Sequence, residues 1–195
     1  MQLNNDGSDD NNFPLTYSST TVTLPQGGGM EGDPAWNGSG NEYIVYAFAS
    51  SSGYSKFGSY TGTGSATNRP IINTGFEPAF VMIKNATTAD DWMMHDNKRN
   101  PSNPRDRYLR ANTGDAEGQF AEFGLDFLTN GFQVGPTTNN NWNGSGQTYI
   151  YHAFAADPSA APVLANSFGI LSYTGNSSGT YPTTSSQDRD WETVS

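Results

Sequence analysis

Trp36-Asn-Gly-Ser-Gly-Asn-Glu-Tyr-Ile-Val-Tyr-Ala-Phe-Ala49 returns as Trp142-Asn-Gly-Ser-Gly-Gln-Thr-Tyr-Ile-Tyr-His-Ala-Phe-Ala155, ten of fourteen positions identical at an offset of 106. A repeat of this length and specificity announces an architecture before a chemistry. A second echo follows each copy: Phe57-Gly-Ser-Tyr-Thr-Gly62 answers to Phe168-Gly169, two inserted residues, and Ser172-Tyr-Thr-Gly175. The period, about 100 residues, exceeds that of the common solenoids and suffices for a small domain. The boundaries read from it are an arm over residues 1–19, flexible or docked, and the end of a preceding unit over 20–56. A complete unit follows over 57–157, then the start of a further unit over 158–195, which either joins 20–56 as one permuted unit or pairs with neighbouring subunits, since half a sandwich cannot bury its open edges alone.

The repeated segment itself reads as a turn followed by a strand. Asn-Gly-Ser-Gly supplies turn residues. Thr148 to Ala155 is a long strand in which Tyr149, Tyr151, Ala153 and Ala155 alternate with Ile150, His152 and Phe154, so both faces are apolar, as in a central strand covered on each side. Further strands are expected around Thr20–Leu24, Glu42–Ala49, Phe57–Tyr60, Ala79–Lys84, Asp91–Asp96 and Tyr108–Asn112. Leu125–Leu128 and Phe132–Val134 form a hairpin across Thr129-Asn-Gly131, where Asn-Gly supplies the positive φ of a tight turn. Short strands at spacings of eight to fifteen residues, without an amphipathic helix, predict an all-β, antiparallel β-sandwich of the jelly-roll or concanavalin-like kind. Gly114–Glu122 is a weaker helical stretch. Phe80, Tyr149, Ile150 and Phe154 are the expected core.

Composition agrees. Hydrophobic residues make up 34% and charged residues 14%, leaving a bulk of Asn, Ser, Thr and Gly, while aromatics at 13% argue for a packed chain. A net charge of −10 with nine basic residues disfavours nucleic acid, which needs clustered cations against phosphate. The absence of cysteine excludes a disulfide framework and thiolate zinc ligation. The start, Met1–Asn12, lacks the basic and apolar regions of a signal peptide, and the longest apolar run, Ala79–Ile83, is far too short to span a bilayer. A soluble product made in a cytoplasm is expected, with no membrane partner.

Beyond the repeat, Gly53-Tyr-Ser-Lys-Phe-Gly-Ser-Tyr-Thr-Gly62, Thr74-Gly-Phe-Glu-Pro-Ala-Phe-Val-Met-Ile-Lys84, Leu125-Asp-Phe-Leu-Thr-Asn-Gly-Phe-Gln133 and Tyr149–Ala155 stand in order along the chain. Together these motifs, spanning about Trp36–Tyr173, resemble an uncharacterised repeated domain of large virion proteins of tailed bacteriophages, often marine phages. The resemblance implies a β-sandwich module strung in tandem within tail-fibre-like or capsid-associated proteins, sometimes beside lectin-like domains. It implies a virion location after synthesis in the host cytoplasm, other virion proteins as partners, and a homo-oligomer. It supplies no catalytic residues. Those relatives hold several units in longer polypeptides, whereas this chain carries one full period.

Candidate sites are few. Trp36 with Asn37, and Trp142 with Asn143, could stack on and hydrogen-bond a host-surface glycan. A tryptophan capping the core beside a glycine turn explains the same identity and is favoured. Lys98, Arg99, Arg105 and Arg107, in the one basic stretch, are interface candidates for an acidic sugar or a partner's carboxylates. The alternative is a proline-stiffened loop with local Arg–Asp pairs. His95, Asp96, Asp90, Asp91 and Asp126 lack metal-ligand spacing, so no metal and no cofactor is expected. Four Asn-x-Ser/Thr sequons are background in this composition. Glu117, Glu122 and Asp126 are too ordinary a set of carboxylates to predict glycoside cleavage. With no nucleophile elbow or phosphate loop, the chain reads as a non-enzyme. A structural or adhesive virion module leads, a carbohydrate-binding module follows, and a glycan depolymerase comes last.

Overall fold

A computed structural model describes residues 16–17, 22–23, 38–156 and 168–174 of the chain. The strands are β1 (Thr16–Tyr17), β2 (Val22–Thr23), β3 (Glu42–Phe48), β4 (Ser55–Thr61), β5 (Ile71–Asn73), β6 (Pro78–Asn85) and β7 (Trp92–Asp96). Then come β8 (Arg107–Arg110), β9 (Gly118–Gln119), β10 (Leu125–Leu128), β11 (Gly131–Val134), β12 (Thr148–Ala155) and β13 (Phe168–Thr174). The only helical turn among the described residues is 3-10, at Ala121–Phe123, where Gly114–Glu122 had offered a helix. Every named strand pair is antiparallel. The fold is all-β and sandwich-like.

The chain divides into two compact units, Met1–Asp9 with Ala49–Ser167, and Asp10–Phe48 with Phe168–Ser195. The first holds a six-stranded sheet in the order β4-β12-β6-β7-β8-β9 and a three-stranded sheet in the order β10-β11-β5. Alternation along β12 decides its core: Tyr149, Tyr151 and Ala153 are buried while Ile150, His152 and Phe154 are half-buried. The buried set packs with Val81, Ile83, Met93 and Tyr108 of the large sheet against Leu125, Phe127, Phe132, Val134 and Ile72 of the small one. Phe132 meets Tyr151 edge to face at 5.4 Å, the geometry that ring quadrupoles favour. Each such buried ring contributes about 1.5–3 kcal/mol of transfer free energy.

Phe80, Ile150 and Phe154 are therefore corrected: they lie on the opposite face of the large sheet from Tyr149. The period of two forces this, since neighbours in a strand cannot share a face. On that outer face Phe57, Phe80 and Phe154 form a second aromatic layer, with centroid separations of 5.8 Å and 6.2 Å from Phe154.

Gly131 also differs from expectation. The turn residues are Thr129 and Asn130, and Gly131 opens β11 with Leu128 directly opposite. A side chain there would meet the Ile72 carbonyl oxygen at 1.9 Å, so glycine is needed for the approach of β5 rather than for the turn.

The second unit holds the pairs β1-β2 and β13-β3. In the latter, Phe168 faces Phe48 and Tyr173 faces Tyr43. In the complete unit, Ser55 faces Phe154 and Tyr60 faces Tyr149. The two pairs share one register, with β13 lying on β4 at an ungapped offset of 113 that sets Tyr173 on Tyr60. The two inserted residues inferred from Phe168-Gly169 are thus unnecessary: Ile170 occupies the place of Phe57. Pairing geometry outranks the coincidence of two letters.

Candidate functional site

The repeated turn builds the most elaborate constellation in the complete unit. Trp142 is 1% exposed. Its indole stacks on Phe123 at 4.6 Å and meets Tyr108 edge-on at 5.6 Å. Indole can only donate, and Nε1–H donates to His95 Nε2 at 3.1 Å. That contact fixes the tautomer: the proton sits on His95 Nδ1, which donates to the Arg105 carbonyl at 2.8 Å. Burial pushes the His95 pKa down to about 4 and the nearby Arg99 charge lowers it further, against the raising pull of the Arg105 carbonyl, Asp96 and Asp106. A neutral imidazole with both nitrogens used is a structural bridge.

Asn143 is wholly buried. Its Oδ1 accepts from Thr63 N–H at 2.7 Å and from Thr63 Oγ1 at 3.3 Å, while Nδ2 donates to the Thr137 and Ser65 carbonyls at 2.8 and 3.1 Å. All of its hydrogen-bonding capacity is spent inside the protein. The glycan role for Trp142 and Asn143 is accordingly withdrawn, because a pyranose needs an exposed ring face and free polar atoms. Trp36 and Asn37 lie outside the described residues.

The turn itself is the same device in both copies. Gly144 N–H donates to Tyr149 Oη at 2.7 Å, and Gly38 N–H donates to Tyr43 Oη at 2.7 Å. Gly146 and Gly40 take φ values of 71° and 79°, where only glycine is unstrained. Burial, the leading cause, raises the Tyr149 pKa to about 12, so the phenol stays protonated and donates to the Asn140 carbonyl at 2.6 Å.

Asn85, read from the sequence as part of a background sequon, is a hub. It is wholly buried. Its Oδ1 accepts from Thr87 and Thr88 N–H at 2.9 and 3.2 Å. Its Nδ2 sits among Gln147 Oε1, Thr88 Oγ1, the Asn140 carbonyl and Asp90 Oδ2, at 2.6, 2.7, 2.8 and 2.9 Å. The amide stitches the loop after β6 to the segment before β12.

The basic stretch is mostly paired at home. Arg99 pairs with Asp96 and, at 3.5 Å, with Glu117, which also takes Arg107. Lys98 is exposed. Arg105 is corrected as a surface interface residue: it is 7% exposed, its guanidinium stands 5.3 Å over the Phe127 ring, and Nη1 donates to the Asn100 carbonyl at 2.7 Å. Of the remaining carboxylates, Asp90 engages Asn85 and Thr88, Asp91 pairs with Arg110, and Asp126 pairs with Arg69. Among the described residues, no three His, Cys, Asp or Glu side chains gather as a metal site would require.

Over residues 1–158 the chain matches a family described as a domain of unknown function, DUF7483, and it belongs to that family. No curated protein and no solved structure matches it.

Proposed function

We propose that this member of the family is a structural or adhesive module of a bacteriophage virion: part of a tail fibre, tail appendage or capsid decoration, non-enzymatic and homo-oligomeric. The observation that carries the reading is the shared register of β4·β12 and β3·β13. In each pair a strand that starts a unit lies beside a strand that ends one. A unit closed by its own first and last strands can be repeated along a polypeptide without rearranging its interior, which suits a shape-giving module. The polar groups most suggestive of chemistry support the same reading, since His95, Trp142, Asn143 and Asn85 spend their hydrogen bonds on the scaffold.

The virion assignment stems from the motif resemblance and is tested directly. Antibody labelling of purified particles from the source phage should decorate a discrete appendage or the capsid surface. Light scattering of the isolated chain should give a stable oligomer at low concentration. A monomer absent from particles would refute the proposal. Saturable, sugar-specific binding on a glycan array would favour attachment instead, and reducing-sugar release from host polysaccharide would favour cleavage.

A further inference from the structure

Four of the five described arginines meet carboxylates: Arg69 with Asp126, Arg99 with Asp96 and Glu117, Arg107 with Glu117, and Arg110 with Asp91 and Asp115. Arg105 is the exception and is also buried, at 7% exposure. No ion pair among the described residues includes it. A desolvated cation ordinarily needs an anion, because burial removes the water that would otherwise neutralise it.

The surrounding carboxylates are committed elsewhere. Asp96 serves Arg99, Glu117 serves Arg99 and Arg107, and Asp106 accepts from Asn100 and Gln119. His95, whose ring hydrogen-bonds the Arg105 carbonyl, is neutral and supplies no negative charge.

The donor pattern says which ligand would fit. A guanidinium has five N–H groups. Nη1 faces the Asn100 carbonyl, and the cation's face lies over Phe127. Nε is buried without a partner, whereas Nη2, which makes no hydrogen bond among the described residues, keeps some contact with solvent. Nε–H and one Nη2–H run parallel along a single edge of the plane, spaced for two coplanar oxygens. The hydrogen bond to Asn100 ties the side chain to the start of the loop, and Pro101 to Pro104 are all exposed.

We propose that Arg105 anchors a carboxylate-binding site, taking the two oxygens of a small carboxylate, an acidic sugar or a free organic acid, side-on at Nε and Nη2. The site stands independently of the virion reading.

The test is a titration of the full-length, 15N-labelled chain with glucuronate and separately with acetate, at constant ionic strength balanced with chloride. The Arg105 Nε–H resonance should shift saturably with carboxylate and not with chloride. A shift with both carboxylates assigns the site to the free anion; a shift with glucuronate alone assigns it to the sugar acid. The thermal midpoint should rise with the same ligand. Arg105→Lys, which keeps the charge and loses the fork, should weaken binding about tenfold or more. Arg105→Met, which keeps the packing on Phe127, should abolish it. An unmoved Nε–H resonance, or an equal midpoint rise in Arg105→Met, would overturn the proposal. So would a response to an acidic peptide but to neither small carboxylate. Should Arg105→Met fail to fold, the side-chain titration of the unaltered chain decides alone.

Discussion

The two copies of the repeated segment share letters, turn and register but not surroundings. In the complete unit, β12 lies inside a six-stranded sheet with β4 on one edge and β6 on the other. Its counterpart β3 pairs, among the described residues, with β13 alone. Both turns close on a tyrosine hydroxyl and a left-handed glycine. The repeat therefore encodes a local object, a glycine turn clipped to the strand that follows, together with the register of one partner strand. It does not encode the environment. Tyr149 is covered by Tyr60 of β4, stacked on its ring at 4.9 Å, and by Asn85 of β6 at its hydroxyl, both of which lie between the copies in sequence.

The largest test of that contrast is Trp142→Ala. Removing a stacked, buried indole should cost about 3–5 kcal/mol, seen as a large fall in the thermal midpoint of the complete unit. An unchanged melt would mean that Trp142 does not hold the core.

Acid comes next. The His95 pKa drops from 6.5 to about 4 by burial, so the folded state binds fewer protons than the unfolded one between these values. Its contribution is whole above pH 6.5 and fades as pH falls toward 4, a loss of about 3 kcal/mol. Burial also lowers the pKa of His152, in the same direction. Urea unfolding at pH 7 and pH 4 should show a smaller difference in His95→Gln than in the unaltered chain. Equal differences would remove His95 as the cause.

A smaller effect separates the copies directly. Tyr149→Phe leaves a buried Gly144 N–H without its partner and removes one of two donors to the Asn140 carbonyl, at about 1–3 kcal/mol. Tyr43→Phe removes a part-buried bond from Gly38 N–H and an exposed one from Asn41, and should cost about 1 kcal/mol or less. Equal costs, by chemical denaturation, would mean that the two turns sit in equivalent surroundings.

The subtlest test concerns register and should scarcely touch stability. Cysteines at Ile150 and Ser59, or at Ile44 and Ser172, occupy equivalent facing positions. Under mild oxidation both pairs should cross-link, or neither. Cross-linking of Ile150 with Ser59 alone would break the equivalence of the two pairs.

Much of the scaffold could be read before any coordinates. Thr148–Ala155 and Leu125–Leu128 were expected at their observed bounds, because alternation and a flanking turn define such strands locally. β5 was not expected: three residues between Pro70 and Gly75 are too few to show a period, and Ile71 is 67% exposed. The site was least legible. Asn85 reaches Gln147 and Arg105 lies against Phe127, each by folding rather than by neighbourhood in sequence. Conversely, the Trp-Asn pair looked ligand-like because stacking a sugar and capping a core call for the same residue types. Only burial separates the two.

The end of β4 that faces Phe154 is the end at which the polypeptide enters the complete unit, and it leaves from the neighbouring end of β12. Entrance and exit are thus side by side. Tension along the polypeptide would load the hydrogen bonds of this pair one after another, like a zip, rather than all together in shear. Such a unit should open along this edge at modest force while its inner strands stay intact, and close again once the load is released.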